Sequence, residues 1–236
     1  IRFITIFALL ILFNLVTNAD IKERIKINSI LNNIQQYHFN PKPIDDKLSN
    51  EIFNLYLKRL DPNKQLFIQE DIDKLKTFEF LIDDQIKNNT YTFQQLSQHL
   101  LKKRIKKIKT IYPIILGKQF NLFKNETVTI NRKDASFFNS ENALEDYWHK
   151  LLKYQTTAEY IQLLDKKKIS TKNRTVFQKK LEKEARKSIL ESTKKYIERL
   201  EQETEDEQFA SYLDSISNAF DPHTTYLLPS LKEDFD

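Results

Sequence analysis

The sequence predicts an all-α fold of about seven helices, and three observations carry that prediction. There is one glycine in 236 residues. Hairpin turns, nucleotide-binding loops and doubly wound sheets all use glycine at positive φ or close to phosphate, so β-rich and Rossmann-type architectures are disfavoured. Apolar residues recur at three- and four-residue spacing through most of the chain, as in helices that bury one face. Forty per cent hydrophobic residues, including 17 Phe and 10 Tyr, suffice for a sizeable core, and thirty per cent charged residues fit a water-facing exterior.

Residues 1–19 read as a signal peptide. Arg2 precedes an apolar run to Val16, and Thr17-Asn18-Ala19 supplies small residues before the polar Asp20. The run is shorter than the ~20 residues that span a bilayer, so cleavage after Ala19 is expected in preference to a retained anchor. A first helix covers Ile21 to Tyr37, with Ile27, Ile30/Leu31, Ile34 and Tyr37 inward, and Asn40-Pro41-Lys42-Pro43 ends it. A second starts at Asp45-Asp46, where acids suit a helix N-terminus, and buries Leu48, Ile52, Leu55/Tyr56 and Leu60. After the Asp61-Pro62-Asn63-Lys64 turn, a third helix opens at Gln69-Glu70-Asp71 and runs through Ile72, Leu75, Phe78, Ile82 and Ile86.

A fourth, long helix starts near Thr92, and Pro113 is expected to kink or break it. Residues 125–139 lose helical period, and Thr127-Val128-Thr129-Ile130 is either a short strand or an ordered loop. A fifth helix begins at Ser140-Glu141 with Leu144, Tyr147/Trp148, Leu151/Leu152 and Ile161 on its stripe. A sixth spans about Asn173 to Glu203 with Phe177, Leu181, Ala185, Ile189, Tyr196 and Leu200 inward. The seventh, Glu205 to Phe220, buries Phe209, Tyr212/Leu213 and Ile216. Asp221-Pro222 stops it, and residues 221–236 form an extended junction that ends in Glu233-Asp234-Phe235-Asp236. The expected division is thus 1–19, 20–220 and 221–236.

No catalytic, cofactor-binding or metal-ligating residue is assigned. The chain has no cysteine, which excludes disulfides and thiol chemistry. His38, His99, His149 and His223 are scattered without ligand spacing, and each reads as a surface or core-edge side chain. Asp45-Asp46 and Asp83-Asp84 are adjacent pairs whose members point apart on a helix. The basic run Lys102–Lys109 carries Leu101, Ile105, Ile108 and Tyr112 at helical spacing, so its lysines form a solvated face rather than a nucleic-acid patch. Serine–lysine catalysis needs a lysine with its pKa lowered by burial and a glycine-framed nucleophile. The serines and lysines here are placed on polar helix faces. Trp148 reads as core, and Asp221 with His223 as a structural turn.

Two segments resemble tail-specific proteases (C-terminal processing peptidases). In LKRLDPNKQLFIQEDIDKL the residues Leu60, Asp61, Pro62, Lys64, Leu66, Phe67, Ile68, Asp71 and Ile72 take the places of that family's Leu–Asp–Pro–x–Lys turn, apolar pair and helix-opening Asp–Ile. Leu66 stands where an aromatic is usual. In WHKLLKYQ, Trp148, Leu152, Lys153 and Tyr154 are similar to the family's Trp-x-x-x-Leu-Lys-Tyr region, and NAFDPHTTYLLPSLKEDFD is similar to its passage into a PDZ domain. The resemblance implies the helical N-terminal scaffold of a serine–lysine peptidase of the periplasm or envelope, ending before its PDZ and protease domains and inactive alone. It also implies protein substrates with apolar C-termini engaged through the PDZ domain, and an adaptor on the helical region. No cofactor or nucleic acid is expected, and a membrane only through an uncleaved N-terminal segment. The alternative is a stand-alone helical binding protein of the envelope.

Overall fold

The computed structural model describes residues 19–38, 41–122, 124–168 and 174–226. Among the described residues eight helices follow in order: α1 (Ala19–Tyr37), α2 (Asp46–Leu60), α3 (Gln69–Lys76), α4 (Ile82–Lys87), α5 (Thr92–Gly117), α6 (Glu141–Lys166), α7 (Arg174–Gln202) and α8 (Glu205–Phe220). The all-α class therefore holds. No strand occurs among the described residues, and residues 127–130 are loop; one isolated parallel bridge pairs Ile68 with Phe138. Residues 1–18 of the expected signal peptide and 227–236 of the expected junction lie outside the described residues.

Several helix starts are set locally. Asp45 Oδ1 accepts the Leu48 N–H at 3.0 Å, and Ser140 Oγ accepts the Ala143 N–H at 3.2 Å. Thr204 and Glu207 form a reciprocal capping box at α8. Each such cap stabilises its helix by about 1 kcal/mol.

The expected third helix is two helices. Hydrogen bonds from Phe78 N–H to Leu75 O and from Leu81 N–H to Phe78 O tighten the chain between α3 and α4. Leu81, before α4, offers no side-chain cap. Ser49 of α2 supplies one instead: its Oγ accepts the Asp83 N–H at 2.8 Å and donates to Asp83 Oδ1 at 2.7 Å. A cap from 34 residues away leaves no local trace in the sequence.

Pro113 does not break α5, which continues to Gly117. The proline is exposed while Ile111, Tyr112, Ile115 and Leu116 are buried, so the carbonyl that loses its partner is on the solvent side. The far end of α5 is held by α7, where Arg186 donates to Leu116 O at 2.7 Å and Glu182 accepts the Phe120 N–H at 2.9 Å. The single glycine, Gly117, has negative φ and room for a Cβ. It could be another residue.

The chain divides into two compact units, each assembled from separate segments. One comprises Ile1–Arg59, Leu75–Ser97 and Thr204–Asp236. Its core is aromatic: the Phe93 ring lies 5.3 Å from Phe53, 5.7 Å from Tyr56 and 6.3 Å from Tyr212, and Tyr91 meets Phe209 at 5.5 Å. Such pairs each contribute about 0.5–1.5 kcal/mol beyond area burial. Helix α1 packs on α8 through its Ile27, Leu31 and Ile34 face. Tyr37, expected inward, is 79% exposed at the last residue of α1.

The other unit comprises Leu60–Lys74 and Gln98–Glu203. Here α6 packs on α7, with Tyr160, Leu164, Leu181 and Ala185 forming one buried cluster. Ile161 and Phe177, also expected inward, are exposed. Tyr160 and Leu164 take the inner face of α6, and the 100° step per residue turns Ile161 outward.

Candidate functional site

The two motif segments meet inside the second unit. Asp61, 1% exposed, closes the turn after α2. Its Oδ1 accepts the Gln65 N–H at 2.8 Å, and its Oδ2 accepts those of Leu66 at 2.8 Å and Phe67 at 3.0 Å. Burial pushes the Asp61 carboxyl pKa above its usual range, and the three N–H groups pull against that shift. Lys64 takes the left-handed conformation at φ 48°, with its N–H bonded to Asp61 O at 3.1 Å and its Nζ to Ala135 O at 2.7 Å. Trp148 is core, as expected, and its indole N–H also donates to Gln65 O at 2.9 Å. Arg132 covers the turn, stacking 3.9 Å over the Phe138 ring and bonding Ser136 O at 2.8 Å.

Asp71 opens α3 and is 0% exposed. Its Oδ2 accepts the Ile68 N–H at 3.1 Å, and both its oxygens take a bidentate pair from Arg104 at 2.6 and 2.9 Å. Glu141 accepts the third Arg104 bond at 2.5 Å. Burial opposes the guanidinium charge, but Asp71 and Glu141 outweigh it and raise its pKa. The basic run also holds a residue that its periodicity did not single out, Arg104. Lys102, Lys103, Lys106 and Lys109 are exposed, whereas Arg104 is the bulkiest of the fully buried side chains. Its place four residues after Leu100 and four before Ile108, on the apolar stripe, was the available signal.

Lys153 departs from the expectation that the lysines lie on polar helix faces. It is 7% exposed rather than on a polar face, and donates to Lys124 O at 3.0 Å and to Glu126. This ties the loop after α5 to α6. Hydrogen bonds from Lys124 and Lys153 hold the Glu126 carboxyl down at about 2. A depressed carboxylate stabilises the fold above its unfolded pKa and loses that contribution as pH falls through the folded one. The melting-temperature gap between the protein and Glu126→Gln should therefore be constant near neutral pH and close as pH falls from about 4.5 towards 2. A gap that closes entirely above about pH 5 would contradict the tether.

The other singled-out residues do not converge. His99 and His149 are exposed, and Asp83 is buried while Asp84 faces out. Among the described residues no cluster of three or more His, Cys, Asp or Glu could hold a metal ion. Asp221 accepts the backbone N–H of His223 at 2.9 Å, which leads the contacts keeping its carboxyl below the usual range. The ring that faces Asp221 belongs to His38, 3.4 Å away. No described helix is long and apolar enough to cross a membrane. A groove of about 490 Å³ lies along α6 and α7, with Gln65, Trp148, Tyr154, Ile189 and Tyr196 in its walls.

Asp61 and Asp71 thus direct both oxygens at the protein's own backbone and Arg104. Fold and contacts define a helical domain whose motif side chains build the domain itself. Residues 30–230 match the tail-specific protease N-terminal domain family, and the chain belongs to it. It is also similar to the tail-specific protease of Haemophilus influenzae, with 27% identity over 206 residues, 86% of this chain and 27% of that protein. The chain therefore spans about a quarter of that relative's length.

Proposed function

We propose that this domain is the non-catalytic scaffold of a tail-specific peptidase of the cell envelope, exported through its N-terminal segment. The family resemblance implies that such a peptidase carries a PDZ domain and a serine–lysine protease domain besides this one. The PDZ domain engages apolar C-termini of protein substrates, and the helical domain frames the protease and offers an adaptor a surface. The observation that carries this reading is the use of the motif residues: Asp61, Asp71, Trp148 and Lys153 are all engaged in hydrogen bonds within the fold.

The test is incubation of this chain, and of a protein extended with the downstream domains, with an unstructured polypeptide ending in apolar residues. The chain alone should leave it intact and the extended protein should cut it. Hydrolysis by the chain alone, abolished by changing one of its serines, would overturn the scaffold reading. A stop codon directly after Asp236 would favour the stand-alone binding protein.

A further inference from the structure

The chain turns immediately after α8. Asp221-Pro222-His223-Thr224 is a hydrogen-bonded turn, with Thr224 N–H on Asp221 O at 3.0 Å. The chain then runs back beside the helix it has just left. Tyr226 N–H reaches Asp214 Oδ1 at 2.9 Å, and Thr224 O accepts from Asn218 Nδ2 at 2.7 Å. Asp214, Asn218 and Asp221 are four and three residues apart, so they form one rail along the last two turns of α8.

Three cationic or ionisable side chains from earlier in the same unit grip the end of α8. Arg59, in the last turn of α2, meets Asp214 Oδ2 at 2.6 Å and Asn218 Oδ1 at 3.2 Å. Lys42 donates to Ala219 O at 2.6 Å, where the helix carbonyls are unpaired and a cation is favoured. His38 faces the far oxygen of Asp221. Arg59 thereby orients the two side chains that hold the returning segment. A carboxylate fixed by a guanidinium keeps its other oxygen aimed at one backbone N–H.

We propose that Arg59, Asp214 and Asn218 form a latch that reverses the chain after α8 and fixes the direction in which it departs, with Arg59 as the positioning residue. Resting on the proposed function, the latch sets the placement of the PDZ domain that follows. The scaffold would then act on catalysis through a fixed exit, not a flexible linker. Pro222, inside the turn, limits the freedom of the chain further.

Hydrogen exchange on the full 236-residue chain tests the latch independently of any protease. The Tyr226 amide should be protected, and Arg59→Gln should speed its exchange about tenfold or more, as loss of a charge-assisted bond would. Exchange in the interior of α8 should be unchanged. Asn218→Ala removes the bond to Thr224 O and should speed Tyr226 exchange less than Arg59→Gln does, because the Arg59–Asp214 pair stays in place. Lys58→Gln, one residue away and exposed, should do nothing. Exchange of the Tyr226 amide at the rate of an unstructured peptide in the unchanged protein would overturn the latch. Equal rates in the protein and in Arg59→Gln would overturn the role of Arg59. In the extended protein, Arg59→Gln should lower peptide cleavage severalfold at unchanged melting temperature. Unaltered cleavage there, with Tyr226 released, would overturn the placement of the next domain by the latch. Absence of any cleavage before substitution would count against the proposed function and leave the exchange result standing.

Discussion

Replacing Arg104 with alanine should cost the protein about 3–5 kcal/mol, the range for breaking a buried ion pair from one side. Asp71 is fully buried, and both its oxygens face the guanidinium. Truncation removes both of those bonds and leaves the carboxylate held by the Ile68 N–H. Glu141, half-exposed, can turn to water, so the loss comes from Asp71. Urea denaturation at neutral pH should show the full effect, with little dependence on salt because the pair is out of solvent. The double change Asp71→Asn with Arg104→Met should recover much of it. The asparagine still accepts from Ile68, and no buried charge is left unpaired. A single change within about 1 kcal/mol of the parent, or a double change worse than the single, would contradict this account.

The second large effect is at Asp61. Its replacement by alanine removes the acceptor for three N–H groups, two of them on the buried Leu66 and Phe67. An unsatisfied buried donor costs about 1–3 kcal/mol, so a loss of about 3 kcal/mol or more is expected. Asparagine, with one acceptor oxygen, should lose roughly half as much. The chain holds one tryptophan, and Trp148 hydrogen-bonds Gln65 O within the same turn. Its fluorescence should shift in Asp61→Ala before global unfolding. Because burial raises the Asp61 pKa, this carboxyl should not drive acid unfolding. Its ionised form is the one the fold disfavours, so loss of stability on acidification belongs to groups such as Glu126 and Asp221, whose pKa values are depressed.

Much of the fold was legible because it rests on local chemistry. The starts at Asp45 and Ser140 follow from capping side chains, and the stripe through Leu101, Ile105, Ile108 and Tyr112 follows from helical period. The Thr204–Glu207 box went unread, although a threonine three residues before a glutamate is its signature. What sequence could not show is the pairing of distant polar groups. Ser49 capping Asp83, Lys153 tying down Glu126, and Arg59 gripping Asp214 link positions 34, 27 and more than 150 residues apart. Such pairs depend on packing that is settled only when the helices assemble. Pro113 went the other way. The local rule that proline breaks helices was outweighed by apolar residues on both sides of it that stay buried on one continuous face. The junction was half legible: Asp221 does make the turn with the His223 N–H, but reversal onto α8 required Arg59.

The motif between Leu60 and Ile72 is a folding device. Asp61 at its centre is spent on three backbone amides and is not free for chemistry. The most direct measurement is hydrogen exchange at the amides of Gln65, Leu66 and Phe67 in the unmodified protein. Leu66 and Phe67 should exchange only through global unfolding, with rates that follow the denaturation free energy, and Asp61→Ala should bring all three close to loop rates. Fast exchange of these amides in the unmodified protein would leave Asp61 uncommitted and would contradict the claim that the motif serves the fold.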